Sequence, residues 1–235
     1  MLLASLIIYA TNYFFLRDWS KEAQLARNID GNSIVYDKDV GINAYFYNMG
    51  TTVLGGEINP STLRHLVAVA EGRGLEYLIV SSAGGEVRSA QIAGILLREE
   101  DITVIVPRNG FCASACLDIL SAANYVIAHR TAIFGHHTVR LDSDEWSLEL
   151  EELATKSPEF RTRVVNETKR KLIWTEAQRQ IFMEHHGIKD LFWRDFYLHA
   201  DDPDPEETGN VLGLGNYHFG PYYAQLYGFV DKVVR

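Results

Sequence analysis

One serine in this chain stands where nucleophilic chemistry is feasible. Ser114 lies in NGFCASACL, between Cys112 and Cys116, on what the pattern predicts to be the start of a helix. A serine hydroxyl becomes a nucleophile when a base lies within hydrogen-bond reach and backbone N–H groups point at the developing oxyanion. The N–H of Ala115, the next residue, could be one such donor. Taken alone, a serine at this place is better explained as a helix cap.

The two cysteines around the serine are weak evidence for a metal or redox site. A zinc site needs more nitrogen or sulfur donors of suitable spacing. Two cysteines in the whole chain cannot form a disulfide framework. A Cys112–Cys116 bridge would span one helical turn and constrain little, so we expect both residues to pack as small apolar groups.

A second oxyanion donor could come from the glycine pair Gly84 and Gly85 in SSAGGEV. Adjacent glycines between a strand and a helix permit positive φ and leave their N–H groups accessible. At a helix N-terminus such groups suit an anion, either a phosphate or an oxyanion. A tight turn explains the pair equally well, and the sequence of a phosphate-binding loop does not follow it.

The base has to be a histidine, and TAIFGHH offers His136 and His137. Side chains alternate along a strand, so His137 shares a face with Gly135 and His136 shares the other with Phe134. At most one of the two histidines is therefore expected to serve as the base.

Alternating strands and helices position these residues. Strands, nearly all of them apolar, are predicted at 42–50, 51–58, 76–82, 102–107, 124–128 and 131–137, with helices at 60–74, 87–100 and 112–123. This order predicts a mostly parallel sheet covered on both sides. The glycine pair, the serine and the histidines each follow a strand, and ligands in such sheets bind at the carboxyl ends of strands.

The second half of the chain reads differently. Helices are predicted at 143–156, 157–172, 175–187 with Thr175 as N-cap, and 190–199, followed by an acidic loop at 200–210. A short helix at 220–228 and a strand at 229–234 close the chain.

Charge and hydropathy restrict the partners. The 235 residues carry a formal net charge of −9 and show no basic stripe, which argues against a nucleic acid partner. Residues 1–16 contain no charged side chain, and the run is shorter than the roughly 20 residues that a membrane-spanning helix needs. It could be a membrane anchor, a buried helix or an oligomer contact.

Taken together, YLIVSSAGGEVRSAQIAGILL, NGFCASACLDIL, TAIFGHH and YYAQLYGFVDKVV resemble the Clp protease proteolytic-subunit family, and above all Clp-like envelope proteins with a Cys-Ala-Ser-Ala-Cys motif. The resemblance covers residues 53–139 and 222–234. It implies an α/β fold of the ClpP/crotonase type, with repeated β-β-α units. The helical stretch 143–199 and the apolar N-terminal segment fall outside the resemblance, and we expect them to add a helical insertion and an N-terminal helix. The family's Ser-Pro-Gly-Gly is Ser-Ala-Gly-Gly in this chain.

The resemblance implies a serine peptidase without metal or cofactor that acts on peptides or proteins. Ser114 corresponds to the nucleophile, and the oxyanion hole maps to Gly84, Gly85 and Ala115. The family's histidine follows the serine by some two dozen residues at the end of a small-x-apolar-Gly-x-His pattern, which selects His137 and leaves His136 as the alternate base. The peptide would add as a strand beside the glycine turn.

The third member of the triad stays open. The family's acid position corresponds to Asn216, which can orient a histidine but cannot stabilise imidazolium by charge. An aspartate of the acidic loop could do so: Asp201, Asp202 or Asp204.

Two rival functions stay open as well. A crotonase-type acyl-CoA enzyme would need a carboxylate near the glycine turn, and Glu86 is the one at hand. An inactive Clp-like scaffold would use the same pocket to bind peptides or a membrane partner.

The resemblance also implies a homo-oligomer and a bacterial cell-envelope location, and a cytoplasmic location is the alternative. The uncharged residues 1–16 predict membrane association. We divide the chain into an apolar segment and linker helix (1–30), a catalytic core (40–140), a helical insertion, lid or interface (141–200), and an acidic loop with a closing helix and strand (201–235).

Overall fold

A mostly parallel β-sheet with helices packed on both faces positions the site. The computed structural model describes residues 20–35, 42–43, 50–138, 158–200 and 215–235. The strands are β1 (Ile42–Asn43), β2 (Thr51–Ile58), β3 (Tyr77–Gly85), β4 (Thr103–Val106), β5 (Phe111–Ala113), β6 (Val126–His129), β7 (Ile133–His136), β8 (Tyr217–Phe219) and β9 (Lys232–Val234). The helices are α1 (Lys21–Asn28), α2 (Gly31–Val35), α3 (Pro60–Arg73), α4 (Val87–Glu99), α5 (Cys116–Ala122), α6 (Pro158–His185), α7 (Asp190–His199) and α8 (Pro221–Tyr227).

Local sequence explains where helices begin and end. Asn59 caps α3 by accepting hydrogen bonds from the N–H groups of Ser61 and Thr62, and Gly74 ends that helix in the left-handed conformation. Pro221 occupies the first turn of α8, and Gly228 ends it with φ 102°.

The sheet divides at β3, and this division creates the site. The strand order is β8-β7-β5-β3-β4-β6-β9, and β2 pairs with β3 on its other edge. The first half of β3 pairs with β4, whereas Ser82 in its second half pairs with Cys112 of β5. The strands β5, β7 and β8 therefore form a small extension of the sheet at the carboxyl end of β3.

Alternation along the strands separates two buried clusters. Ile79, Ile105 and Ile127 face one side, where Ala23 and Ala26 of α1 cover them. Leu78 and Val104 face the other side, in a larger cluster that also receives Phe192 of α7. This is the two-sided burial expected of parallel strands.

The prediction of a mixed α/β fold with a mostly parallel sheet is confirmed. The predicted apolar N-terminal segment, the helix at 143–156 and the loop residues 201–210 lie outside the described residues. Within the described part of the chain, no helix has both the length and the apolar character to cross a membrane.

Three element predictions were wrong. Residues 112–123 were predicted as one helix, but Phe111–Ala113 form the strand β5, and α5 begins at Cys116. Residues 157–172 and 175–187 were predicted as separate helices, but α6 runs unbroken through them because no glycine or proline interrupts it. Thr175 is not a cap: its hydroxyl donates to the carbonyl of Lys171 one turn earlier. The three-residue strand β8 was not predicted.

Candidate active site

Ser114 occupies a sharp turn between a strand and a helix. The strand β5 ends at Ala113 and α5 begins at Cys116, so the serine precedes the helix instead of lying in its first turn as predicted. Its φ is 52°, a left-handed conformation that residues with a side chain seldom adopt. The Ser114 N–H donates to the carbonyl of Gly135 at 2.8 Å, and its carbonyl accepts from Leu117 N–H at 3.0 Å. Such a strained backbone held by its neighbours is a feature of functional sites.

A disulfide between Cys112 and Cys116 closes over this turn. The expectation that the cysteines pack as free apolar groups was therefore wrong, although both are fully buried. Their Cα atoms lie 5.3 Å apart, because the chain reverses between them at Ser114. A loop this short gains only about 2 kcal/mol from closure in the chain-entropy model, so the bridge constrains the turn more than the whole fold.

The glycine pair lies against the serine. Gly84 and Gly85 end β3 with φ values of 110° and 141°. A Cβ on Gly84 would lie 2.6 Å from Ser114 Cβ and 2.9 Å from Ala115 N. Only a glycine permits this approach of β3 to the serine turn.

Backbone N–H groups near the serine are candidates for binding an oxyanion. Gly84 N–H already donates to Ser82 Oγ at 3.1 Å. Glu86 N–H donates to Ile58 of β2 at 2.7 Å, and because N–H directions alternate along a strand, Gly85 N–H faces the opposite edge, where β5 lies. Within the described residues, the N–H of Ala115 has no hydrogen-bond acceptor. Gly85 and Ala115 therefore remain the candidate oxyanion donors, whereas the Gly84 N–H is already engaged.

His137 follows β7 directly and is partly buried. Its Nδ1 lies 2.7 Å from the carbonyl oxygen of Thr138. A carbonyl only accepts, so Nδ1 carries the proton and donates it. In the neutral ring Nε2 is then an acceptor, which is the form that a general base needs.

His136 lies on the opposite face and in a different environment. Its ring meets those of Phe192, Trp193 and Phe196 at centroid distances of 5.2, 5.5 and 4.5 Å. Burial, together with the nearby positive charge of Arg179, lowers its pKa to about 4, against the opposing effect of the Glu176 carboxylate 3.6 Å away. This histidine is neutral and enclosed, which favours His137 over His136 as the base.

The strand register places the serine turn beside the end of β7. Ala113 pairs with Gly135 in the parallel β5–β7 ladder, so the next residues of the two strands are Ser114 and His136, and His137 follows one residue further along. One guanidinium, that of Arg179 on α6, binds both: its Nη2 donates to Ser114 O at 2.6 Å and its Nη1 to His137 O at 3.0 Å. Serine, histidine and glycine pair therefore converge at one edge of the sheet.

Asn216 lies on the same side of this edge. His136 pairs with Tyr217 in the antiparallel β7–β8 ladder, and one step further in that register places Asn216 opposite His137. Asp201, Asp202 and Asp204 lie outside the described residues.

Sequence reasoning missed three residues around the site. Arg179 and Asp118 form a fully buried ion pair in which Arg179 Nε donates to Asp118 Oδ2 at 2.8 Å. Burial raises the pKa of Asp118 to about 6 in spite of this arginine. An aspartate amid the apolar residues of α5 was the available signal. His218 of β8 is exposed, pairs with Gly135 and lies with its ring 6.4 Å from that of Phe111.

Within the described residues, no group of three or more His, Cys, Asp or Glu side chains is arranged to hold a metal ion. Glu86, which follows the glycine pair in the sequence, accepts a hydrogen bond from Ser89 in the first turn of α4.

Comparison with known proteins gives a distant likeness. No protein-family model matches the chain, and no curated protein is significantly similar to it. Among solved structures, a mutant of ClpP1 from Listeria monocytogenes is similar to 80% of this chain over 93% of its own length, at 16% identity and a TM-score of 0.43. At this distance the likeness assigns no role to any residue.

Proposed function

We propose that this chain is a Clp-like serine peptidase whose nucleophile is Ser114. The observation that carries the proposal is the left-handed serine at the strand–helix turn, which lies against the glycine pair and shares the guanidinium of Arg179 with His137. An isolated cap would need none of these neighbours.

The reaction follows from the positions of these groups. Ser114 Oγ attacks the peptide carbonyl carbon while His137 Nε2 takes the hydroxyl proton. The Ala115 and Gly85 N–H groups bind the oxyanion of the tetrahedral intermediate. His137 then gives the proton to the leaving amine, and a water molecule, activated by the same histidine, releases the acyl group from Ser114.

Two groups could orient His137 during this cycle. The Thr138 carbonyl holds Nδ1–H in the structure, and Asn216 faces the histidine in register. Neither carries a negative charge, so imidazolium would be stabilised less than in a triad that contains aspartate.

The glycine turn also supplies the substrate edge. An extended peptide would pair as an added strand beside the glycine turn, past the end of β5 at Ala113, and bring its carbonyl to Ser114. The crotonase-type alternative gains no support from Glu86, whose carboxylate serves the start of α4.

Self-association and an envelope location belong to the same proposal. Trp174 of α6 and Leu198 of α7 are 66% and 68% exposed, and large apolar side chains of this kind suit a contact with a second copy. Sedimentation of the purified protein tests self-association. Fractionation of cells that express the chain with and without residues 1–16 tests the envelope location.

A fluorophosphonate probe tests the peptidase proposal. We expect the wild-type protein to take up one equivalent, Ser114→Ala to take up none, and the control Ser121→Ala, in α5, to react like the wild type. Cleavage of fluorescein-labelled casein should follow the same pattern. Equal labelling of Ser114→Ala, or no labelling of any protein, would contradict the proposal.

A further inference from the structure

Arg179 is the one long charged side chain among the largest fully buried side chains of the described residues. It comes from α6, outside the strand–helix units that carry the serine and the histidine. Such a group is costly to bury unless charge and hydrogen bonds compensate it. The hydrogen-bond partners of Arg179 therefore indicate its role in the fold.

Its hydrogen bonds go to both halves of the candidate site. Nη2 donates to the carbonyl of Ser114, and Nη1 donates to the carbonyl of His137. Nε donates to Asp118, whose other oxygen accepts from Gln91 of α4 at 3.3 Å. The guanidinium is rigid and planar, so the two carbonyls it binds are fixed relative to each other.

The bond to Ser114 has an electronic effect as well. The carbonyl of Ser114 and the N–H of Ala115 belong to the same peptide group. A cation on the carbonyl oxygen withdraws electron density from the amide and makes its N–H a stronger donor. This N–H is the oxyanion donor of the proposed reaction.

We propose that Arg179 is a positioning residue of the active site: it holds the nucleophile and base strands in register and polarises the peptide group that donates to the oxyanion. Asp118 anchors it from α5. The proposal rests on the proposed function for its catalytic part, and it makes the helix α6 part of the working site.

Covalent labelling and chemical rescue test this role. For Arg179→Ala we expect the maximal labelling rate by the fluorophosphonate to fall at least tenfold, with little change in the probe concentration at half-saturation. Guanidinium chloride at tens of millimolar, well below denaturing concentrations, should restore part of the rate in this variant. It should do nothing for the wild type or for Ser114→Ala.

Two further variants cover the case in which Arg179→Ala does not fold. Arg179→Lys keeps a charge beside Asp118 but cannot bind both carbonyls, so we expect a folded protein with a rate reduced at least tenfold. Arg170→Ala changes an exposed arginine of the same helix and should label like the wild type. Wild-type rates in folded Arg179→Lys, or in folded Arg179→Ala, would overturn the proposal.

Hydrogen exchange separates this proposal from the peptidase proposal. The peptide that contains residues 111–118 should exchange faster in Arg179→Lys than in Arg170→Ala, whether or not the protein reacts with the probe. An unreactive wild type with this faster exchange would contradict the peptidase function alone. Unchanged exchange would contradict the positioning role.

Discussion

His136 and His137 are neighbours in the chain and lie on opposite faces of β7. His136 is 1% exposed and is surrounded by the rings of Phe192, Trp193 and Phe196. His137 is partly buried, donates Nδ1–H to the Thr138 carbonyl, and shares the guanidinium of Arg179 with Ser114.

The difference shows that two adjacent residues at the end of one strand can have separate roles, one in stability and the other in the proposed reaction. The core face of β7 continues into the aromatic cluster of α7 and β8. The other face carries the groups of the proposed reaction, and its geometry depends on backbone contacts such as that between Gly84 and Ser114. Changes on the first face should alter unfolding, and changes on the second should alter reaction rates.

Apart from loss of the His137 base, the largest effect in this comparison is expected from Gly84→Ala. The added methyl would meet Ser114 Cβ at 2.6 Å at a φ of 110°, so the oxyanion geometry should be lost and the labelling rate should fall at least about 100-fold, as for loss of an oxyanion donor. The rate is measured with the fluorophosphonate probe, and circular dichroism checks the fold.

The matched control is Gly72→Ala. A Cβ there would have nothing within 4 Å, so the rate should stay unchanged and the helix should gain about 0.5–1 kcal/mol. A folded Gly84→Ala protein that labels within threefold of the wild type would show that the glycine pair does not shape the site.

A second effect concerns acid stability and His136. In the unfolded chain this histidine binds a proton as the pH falls below about 6.5, whereas in the fold it stays neutral down to a pKa of about 4. Its contribution to the free energy of unfolding therefore falls as the pH falls from 6.5 to 4. Asp118 acts with the opposite sign below its pKa of about 6, because the folded state then binds the proton first.

His136→Leu removes the contribution of His136 to the pH dependence of unfolding and leaves that of Asp118. Between pH 7 and pH 5, the variant should lose less unfolding free energy than the wild type, by about 2 kcal/mol at most. Urea unfolding at both pH values measures this difference, in which the constant packing change cancels. An identical pH dependence in both proteins would mean that His136 is not held neutral in the fold.

The smallest effect is expected from Tyr227→Phe, on the core side. The Tyr227 hydroxyl donates to Asp195 Oδ2 at 2.9 Å and lies 2.6 Å from the Tyr217 hydroxyl. Its removal should lower the free energy of unfolding by about 1 kcal/mol and change the labelling rate less than twofold. Tyr223→Phe, on an exposed side chain, should change neither. A large loss of labelling in Tyr227→Phe would contradict the claim that one face of β7 determines stability and the other the reaction rate.

Local patterns predicted the parts of the site that depend on nearby sequence. The strand runs, the glycine pair after β3 and the alternation of the two histidines all follow from short-range rules, and the structure has them. Asn216 was named as a third triad member from a resemblance in motif spacing. The β7–β8 register, continued by one residue, places it opposite His137, and its role stays a prediction.

Short-range sequence rules could not predict the long-range contacts. Arg179 lies 65 residues after Ser114, on a helix whose pattern gives no sign of a buried charge. The strand β8 is three residues long and is formed only by pairing with β7. The Cys112–Cys116 bridge depends on the turn at Ser114, which a continuous helix would not contain.

The most direct test of the central claim compares the labelling rates of His137→Ala and His136→Leu. The account predicts that His137→Ala remains folded and loses about 1,000-fold or more in the rate at Ser114, as removal of a general base does. His136→Leu should stay within about tenfold of the wild type at pH 7, since its role is in packing. A folded His137→Ala protein that labels like the wild type, while His136→Leu loses the reaction, would contradict the account.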